Sequence, residues 1–223
     1  GYTFSGWNTS LPEFMGTEKV SLMAVYTLNK YTISFESNGG SEVLSITQDF
    51  ATPVVAPSSP SKEGYTFSNW YSDASRQEVY VFSTMPAEDI TVYVAYTINQ
   101  YTVSFDTKGG TEVLPITQDF GTSLLPKTSP EKTGHYFNGW YSDSMLTNSY
   151  RFSTMPSNNI TLYAKYGINQ YTVEYLDFDL TVIKTTNYDY NTALSYGDAP
   201  ANPARLGYTF TGWDILLPET MGA

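Results

Sequence analysis

Apolar and polar residues alternate at a period of two through Tyr101-Thr102-Val103-Ser104-Phe105-Asp106, the pattern of a strand with one buried face. The same alternation opens at Tyr31 as YTISF and at Tyr171 as YTVEY. A second alternating tract closes each stretch. Ile90, Val92, Val94 and Tyr96 alternate with Thr91, Tyr93 and Ala95, while Ile160, Leu162, Ala164 and Tyr166 alternate with Thr161, Tyr163 and Lys165. Val20, Leu22, Ala24 and Tyr26 repeat the scheme near the start. The first set of each tract is expected to face a core. Lys165 marks the outward side, because a lysine is almost never fully buried unpaired.

Gly39-Gly40 and Gly109-Gly110 follow the opening strands and predict tight hairpin turns, since glycine accepts a positive φ. Asp177-Phe178-Asp179 stands there in the third stretch, so that turn is longer or of another type. Glu112-Val113-Leu114 and Ile116-Thr117 predict a second strand, at a sheet edge because Pro115 interrupts it. The Pro-, Ser- and Thr-rich segments 50–64 and 120–134 hold few hydrophobes, chiefly Val54-Val55 and Leu124-Leu125. They are expected to cross over as a single helical turn or irregularly.

These elements recur. Residues 31–100 return as 101–170 with 37 of 70 positions identical, which marks an array rather than one catalytic pocket. GYTFSGW at 1–7, GYTFSNW at 64–70, GHYFNGW at 134–140 and GYTFTGW at 207–213 flag four copies. ITQDFAT at 46 matches ITQDFGT at 116, with NYDYNTAL at 187 as a diverged counterpart. Two complete modules are therefore expected at 31–100 and 101–170. Residues 1–30 read as the C-terminal half of a repeat, and 171–223 as the N-terminal part of one lacking its last strand. Leu11-Pro12-Glu13-Phe14-Met15-Gly16 returns 206 residues later as Leu217-Pro218-Glu219-Thr220-Met221-Gly222, so 1–206 reads as one higher-order unit of a longer parent. The partial ends are expected either to fray or to complete one another head to tail between molecules through open strand edges.

Each module is near the lower size limit for a single core. Its structural core is expected around Trp70, Trp140 and Trp213, with Phe67, Phe137, Phe105, Leu162 and Tyr166. Between modules, Tyr96 to Tyr101 holds neither Gly nor Pro, unlike a flexible linker, so neighbours should keep a limited range of angles. The Tyr166-Gly167 junction has one glycine.

Charge and composition narrow the partners. Eleven Lys/Arg against 22 Asp/Glu give a net charge of −11, which argues against nucleic acid or an anionic membrane. No apolar run approaches the length of a membrane-spanning helix. Cysteine is absent, which excludes disulfides and thiolate metal sites. His135 is the single histidine and sits where the other copies carry tyrosine, which points to packing rather than catalysis. Glu88-Asp89 and Asp177/Asp179 lack the six spaced oxygens of a calcium loop, and Glu88-Asp89 becomes Asn158-Asn159 in the next copy. Asp49 and Asp119 repeat, and suit an Asx turn or, alternatively, a side-chain crosslink to lysine. No metal, cofactor or catalytic residue is expected. The most variable segment follows each tryptophan, at 71–79 and 141–149. If a surface recognises a ligand, it is this loop, through Tyr71, Arg76, Tyr141 and Met145 with Tyr93 and Tyr163 beside it.

YTVSFDTKGG at 101–110, GHYFNGW at 134–140 and FSTMPSNNITLYAKY at 152–166 together resemble the Listeria–Bacteroides repeat, also known from internalin B-type repeats. The resemblance implies a mainly β fold with a small α or irregular crossover, built as tandem compact β-grasp-like modules in an extended array. It implies an extracellular place on a bacterial cell surface or cell wall, between a binding head and an anchor. It carries no catalytic residues. The function expected is a stalk or spacer of a large surface adhesin, whose contacts are its neighbouring repeats. Direct binding of a host protein or glycan through the variable loops is the alternative.

Overall fold

The computed structural model describes residues 1–11, 13–14, 16–125, 128–215 and 217–222, the side chain of Tyr196 excepted. The chain forms two compact units, residues 1–100 and 101–223. The first unit holds β1 (Tyr2–Trp7), β2 (Ala24–Leu28), β3 (Lys30–Glu36), β4 (Ile46–Asp49), β5 (Tyr65–Tyr71) and β6 (Ile90–Ile98). The second holds β7 (Gln100–Asp106), β8 (Ile116–Asp119), β9 (His135–Tyr141), β10 (Ile160–Ile168), β11 (Gln170–Leu176) and β12 (Val182–Asp189). A 3-10 turn at Tyr196–Asp198 is the one helical element among the described residues.

Each unit contains one four-stranded mixed sheet, ordered β4-β3-β6-β5 in the first and β8-β7-β10-β9 in the second. The opening and closing strands lie side by side in parallel, Ile33 opposite Ile90 and Val103 opposite Ile160. The alternation seen in the sequence then sends Ile33, Val92 and Val94 into one core, and Val103, Leu162 and Ala164 into the other. Ile33, Val92, Val94, Val103 and Leu162 have no solvent exposure at all. Truncating such a side chain to alanine costs about 2–5 kcal/mol. Trp70 and Trp140 are buried, with 6% and 5% exposed, and Phe67, Phe137, Phe105 and Tyr166 pack against these clusters half-buried.

The tryptophan motif works by a bulge. Phe67 and Trp70 are three residues apart, so in a regular strand they would point to opposite faces. The register of β5 on β6 slips between Phe67 and Asn69, and the extra residue turns both rings to one side, 5.3 Å apart. Phe137 and Trp140 meet at 5.4 Å over the same slip. The glycine before the tryptophan takes φ +116 at Gly139 and +139 at Gly6 and Gly212, values that an L side chain rarely adopts.

The crossover is irregular, and the α-helical option does not occur among its described residues. Its backbone pairs with the STMP segment instead. The Met85 amide donates to the Thr52 carbonyl at 2.8 Å, the Ala51 amide to Met85 at 3.0 Å, and the Val54 amide to Ser83 at 2.8 Å. Met155 and Leu124 repeat these bonds. Pairing this way buries Met85, Val54, Met155 and Leu124, none of which the alternation marks.

The glycine pairs do not turn simple hairpins. Positive φ falls on Asn38 and Gly39, and on Lys108 and Gly109, but not on Gly40 or Gly110. The Gly40 amide closes the turn on Ser37 at 2.9 Å. The chain then leaves the sheet, since the Ser41 amide bonds to Ser61 and that of Thr111 to Glu131. Strand pairing resumes only at Ile46 and Ile116, so Glu112-Val113-Leu114 is not a strand, and Val113 is drawn into the core. β4 and β8 do occupy sheet edges. The third turn differs, with Leu180 at φ +68 and its amide bonded to Asp177.

Residues 1–30 and 171–223 each contribute one two-stranded antiparallel sheet, β1-β2 and β11-β12. Trp7 is 56% exposed, and Phe4 and Tyr26 are also open to solvent. Val20 and Ala24 are exposed rather than facing a core. Trp213 is only half-buried, because Tyr175 and Phe210, at 5.1 and 5.3 Å, are the rings beside it and no closing strand covers it.

Candidate functional site

The two loops after the tryptophans differ in sequence but share one conformation. The Asp73 carboxylate accepts the amides of Gln77 at 3.0 Å and Glu78 at 2.8 Å and the Ser75 hydroxyl. Asp143 accepts the amides of Thr147 and Asn148, the latter at 2.7 Å. Both loops turn through a left-handed residue, Arg76 at φ +57 and Leu146 at φ +58. Both close on their strand through Ser72 and Ser142, whose amides donate to Glu78 and Asn148. The hydrogen bonds hold both carboxyls below the ordinary aspartate range, led by the Ser75 hydroxyl at Asp73 and the Asn148 amide at Asp143, since they favour the charged form.

The sheet brings the predicted loop residues together on its outward face. Tyr71 lies opposite Tyr93, and Tyr141 opposite Tyr163. The Arg76 guanidinium donates from Nε to the Val94 carbonyl at 2.9 Å, which ties it to its own scaffold. Lys165 does the matching work in the second copy, reaching the Leu146 carbonyl at 3.4 Å and lying 4.7 Å over the Tyr141 ring. Lys108 sits 5.0 Å over Tyr163 and pairs with Asp106 at 3.0 Å. Met145 projects freely, 81% exposed. The result is a ridge of half-buried tyrosines crossed by cations, suited to amphipathic contact.

Other positions resolve into packing. The His135 ring bonds through Nδ1 to the Thr133 carbonyl at 2.8 Å and lies among Tyr166 and Tyr190. Asp49 ion-pairs with Lys30 at 3.0 Å, both side chains substantially exposed. Asp189 accepts from Gln170 at 3.0 Å, so a Lys or Gln before the opening tyrosine keeps a constant relation to this aspartate. Asp177 and Asp179 accept amides of their own turn. Among the described residues no cluster of His, Asp or Glu could hold a metal ion.

Three sets of residues escaped the sequence reading. Lys62 and Lys132 stand two places before the motif glycine and donate to the carbonyls of Asn38 and Lys108. They also lie over Tyr96 and Tyr166 at 5.3 and 5.2 Å; Arg205 lies 4.1 Å over Tyr208. Asn29 and Asn169 clamp the junctions. The Asn29 amide donates to Gly1 while its carbonyl receives the Phe50 amide, and Asn169 likewise links Gly134 and Tyr190. A Cβ on Gly1 or Gly134 would fall on the Phe50 or Tyr190 ring. Finally, Met221 exchanges bonds with Asn191 and Thr192 as Met85 does with Ala51 and Thr52. The constant spacing of Lys-x-Gly and of Asn before Lys or Gln was the available signal for the first two.

A profile of the Listeria-Bacteroides repeat domain matches residues 31–94, 101–165 and 171–214. A protein of Evansella cellulosilytica whose name reads Gly-rich membrane protein is 38% identical over 234 aligned residues, covering 98% of this chain and 27% of the relative. Another from that organism, named as a membrane protein, is 37% identical over 196 residues, covering 87% and 29%. Internalin H of Listeria monocytogenes is 37% identical over 166 residues, covering 73% and 28%. The chain thus spans less than a third of each of these relatives. Their names set it among bacterial cell-surface proteins.

Proposed function

Because this chain belongs to the Listeria–Bacteroides repeat family, we propose that it is a spacer in a large bacterial surface adhesin, a row of modules that holds a binding domain away from the cell. The observation that carries this reading is the pair of separate cores, each closed around its own tryptophan. A spacer needs units that fold without a ligand and links that resist collapse. The asparagine clamps at Asn29 and Asn169 supply backbone bonds to both sides of a junction. We read the strand order, with central parallel opening and closing strands, as β-grasp-like, and the modules as 31–100 and 101–170 of an extended array. The partners of such a segment are its neighbouring repeats.

The rival is direct attachment of a host protein or glycan to the ridge of Tyr71, Tyr93, Tyr141 and Tyr163. Arg76 and Lys165, the cations a ligand would engage, are already bonded to the scaffold, which favours the spacer. Surface-immobilised host proteins and glycans screened against the chain test this. The expected result is no saturable binding. Saturable binding that disappears when 141–149 is replaced, with near-UV circular dichroism unchanged, overturns the spacer.

A further inference from the structure

The C-terminal part of the chain holds every element of a complete module except one. β11 takes the place of the opening strand and β12 that of its edge partner. Gly212 has the bulge conformation of Gly139, and Phe210 meets Trp213 at 5.3 Å as Phe137 meets Trp140. Met221 is buried and makes the crossover bonds of Met85 and Met155. What is missing is the closing strand, the counterpart of β6 and β10. In its place is a cavity of about 720 Å³, walled by Val173 and Tyr175 of β11 on one side and by Phe210 and Trp213 on the other. Residues 208–213 belong to no strand, although their counterparts in complete modules pair with the closing strand along their length.

The N-terminal part holds the converse. β2 carries the apolar alternation of a closing strand, yet its only strand partner is β1. In complete modules, residues 90–93 and 160–163 pair in parallel with the opening strand. The corresponding residues, Val20, Ser21, Leu22 and Met23, lie outside any strand. β1 is loosely covered, with Tyr2, Phe4 and Trp7 each about half exposed.

We propose that β2 and the residues before it, in one copy of this chain, insert into the slot between β11 and 208–213 of a second copy and complete its module. The register follows from the whole modules: Val20 against Val173, Ser21 against Glu174, Leu22 against Tyr175 and Met23 against Leu176. On the other edge, Trp213 faces Ala24, Gly212 faces Val25 and Phe210 faces Tyr26, as Trp7, Gly6 and Phe4 do now. Residues 207–213 differ from 1–7 at one position, Thr211 for Ser5. That edge is therefore exchanged like for like. The parallel pairing with β11 and the burial of Leu22 and Tyr26 are net gains. Leu22 takes the position of Val92 and Leu162, and Ala24 that of Val94 and Ala164. Donor and acceptor sit at opposite ends of the sequence, so the contact is heterologous and builds open chains rather than closed dimers. The inference stands apart from the spacer reading and holds whether or not the modules bind a ligand.

The test uses the full chain, which has no cysteine of its own. Ser21 and Glu174 are both exposed, and neighbouring strands bring such a pair within disulfide reach. The double variant Ser21→Cys/Glu174→Cys is expected to form ladders of disulfide-linked chains under oxidation. Ser21→Cys/Thr172→Cys, two residues out of register, is expected to form few. Light scattering of the unmodified chain should show mass rising above 24.9 kDa with concentration. Leu22→Asp, which lies outside both complete modules, should hold it at one chain with its circular dichroism unchanged. A mass fixed at one chain at every concentration overturns the proposal. So do crosslinks formed within single chains, or crosslinks equally frequent in both registers.

Discussion

Gly40 is a glycine because of a tyrosine 56 residues away in sequence. Its φ is not in the left-handed region, so backbone freedom is not the reason. A Cβ there would fall on the Tyr96 hydroxyl, 2.9 Å from the Tyr96 Cζ and 3.0 Å from the Ser61 carbonyl oxygen. That hydroxyl donates to the Ser37 carbonyl at 3.1 Å and so pins the turn to the closing strand. Gly40→Ala forces the ring to withdraw. Losing the hydrogen bond costs about 0.5–1.5 kcal/mol, and the overpacking adds about 1–3 kcal/mol. The total of roughly 2–4 kcal/mol is a large share of the ~4–10 kcal/mol expected of a domain this size. Urea unfolding followed at the Trp70 indole N–H resonance reads this module alone. Tyr96→Phe by itself should cost about 1 kcal/mol. With the hydroxyl gone, Gly40→Ala should cost at least about 1 kcal/mol less than in the parent. A harmless Gly40→Ala, or two substitutions whose costs simply add, would refute the contact as the cause.

Further outcomes follow from the same geometry. Trp140→Ala should cost about 3–5 kcal/mol, whereas Trp7→Ala, at a ring already 56% exposed, should change urea stability by less than about 1 kcal/mol. Gly121 and Ala51 hold the same left-handed turn, at φ +73 and +62. Gly121→Ala should therefore lower stability by about 1 kcal/mol, and Ala51→Gly should shift it in the opposite direction, both read by thermal unfolding. The carboxyls of Asp73 and Asp143 titrate below the ordinary range. The stability they contribute is present above the unfolded pKa near 3.8 and is lost as pH falls through the lower folded value. Amide exchange in 142–149 should accelerate relative to the core on acidification, and Asp143→Asn should remove that acid step. An unchanged acid response in Asp143→Asn would assign the effect elsewhere.

The strands were legible because they are half-buried and their side chains alternate. Val103 and Leu162 announce themselves by what flanks them. Alternation cannot expose a bulge, so the shared face of Phe67 and Trp70 was hidden by a spacing of three that reads as two opposite faces. Met85 and Met155 were hidden for a different reason. They enter the core from segments paired to the crossover rather than from a strand, and no periodicity marks them. The glycine pairs gave the right place for a turn and the wrong division of labour. Gly39 answers a backbone demand, while Gly40 answers a steric one set by a distant ring. The predicted ligand loop was located correctly as a segment. Its sequence variability concealed a constant frame, because one aspartate at its start fixes the conformation and leaves residues such as Ala74 and Met145 free to differ. At the ends, pattern alone could not say that β2 would lack its parallel partner, since its apolar residues read the same whether covered or open.

Stretching single molecules of the full chain between its termini tests the central claim most directly, namely that each module folds around its own core and bears load by itself. Two separate unfolding events of equal length are predicted, each releasing somewhat less than the ~230–250 Å that 70 extended residues span. One event releasing both modules together, or extension with no discrete event, would contradict it.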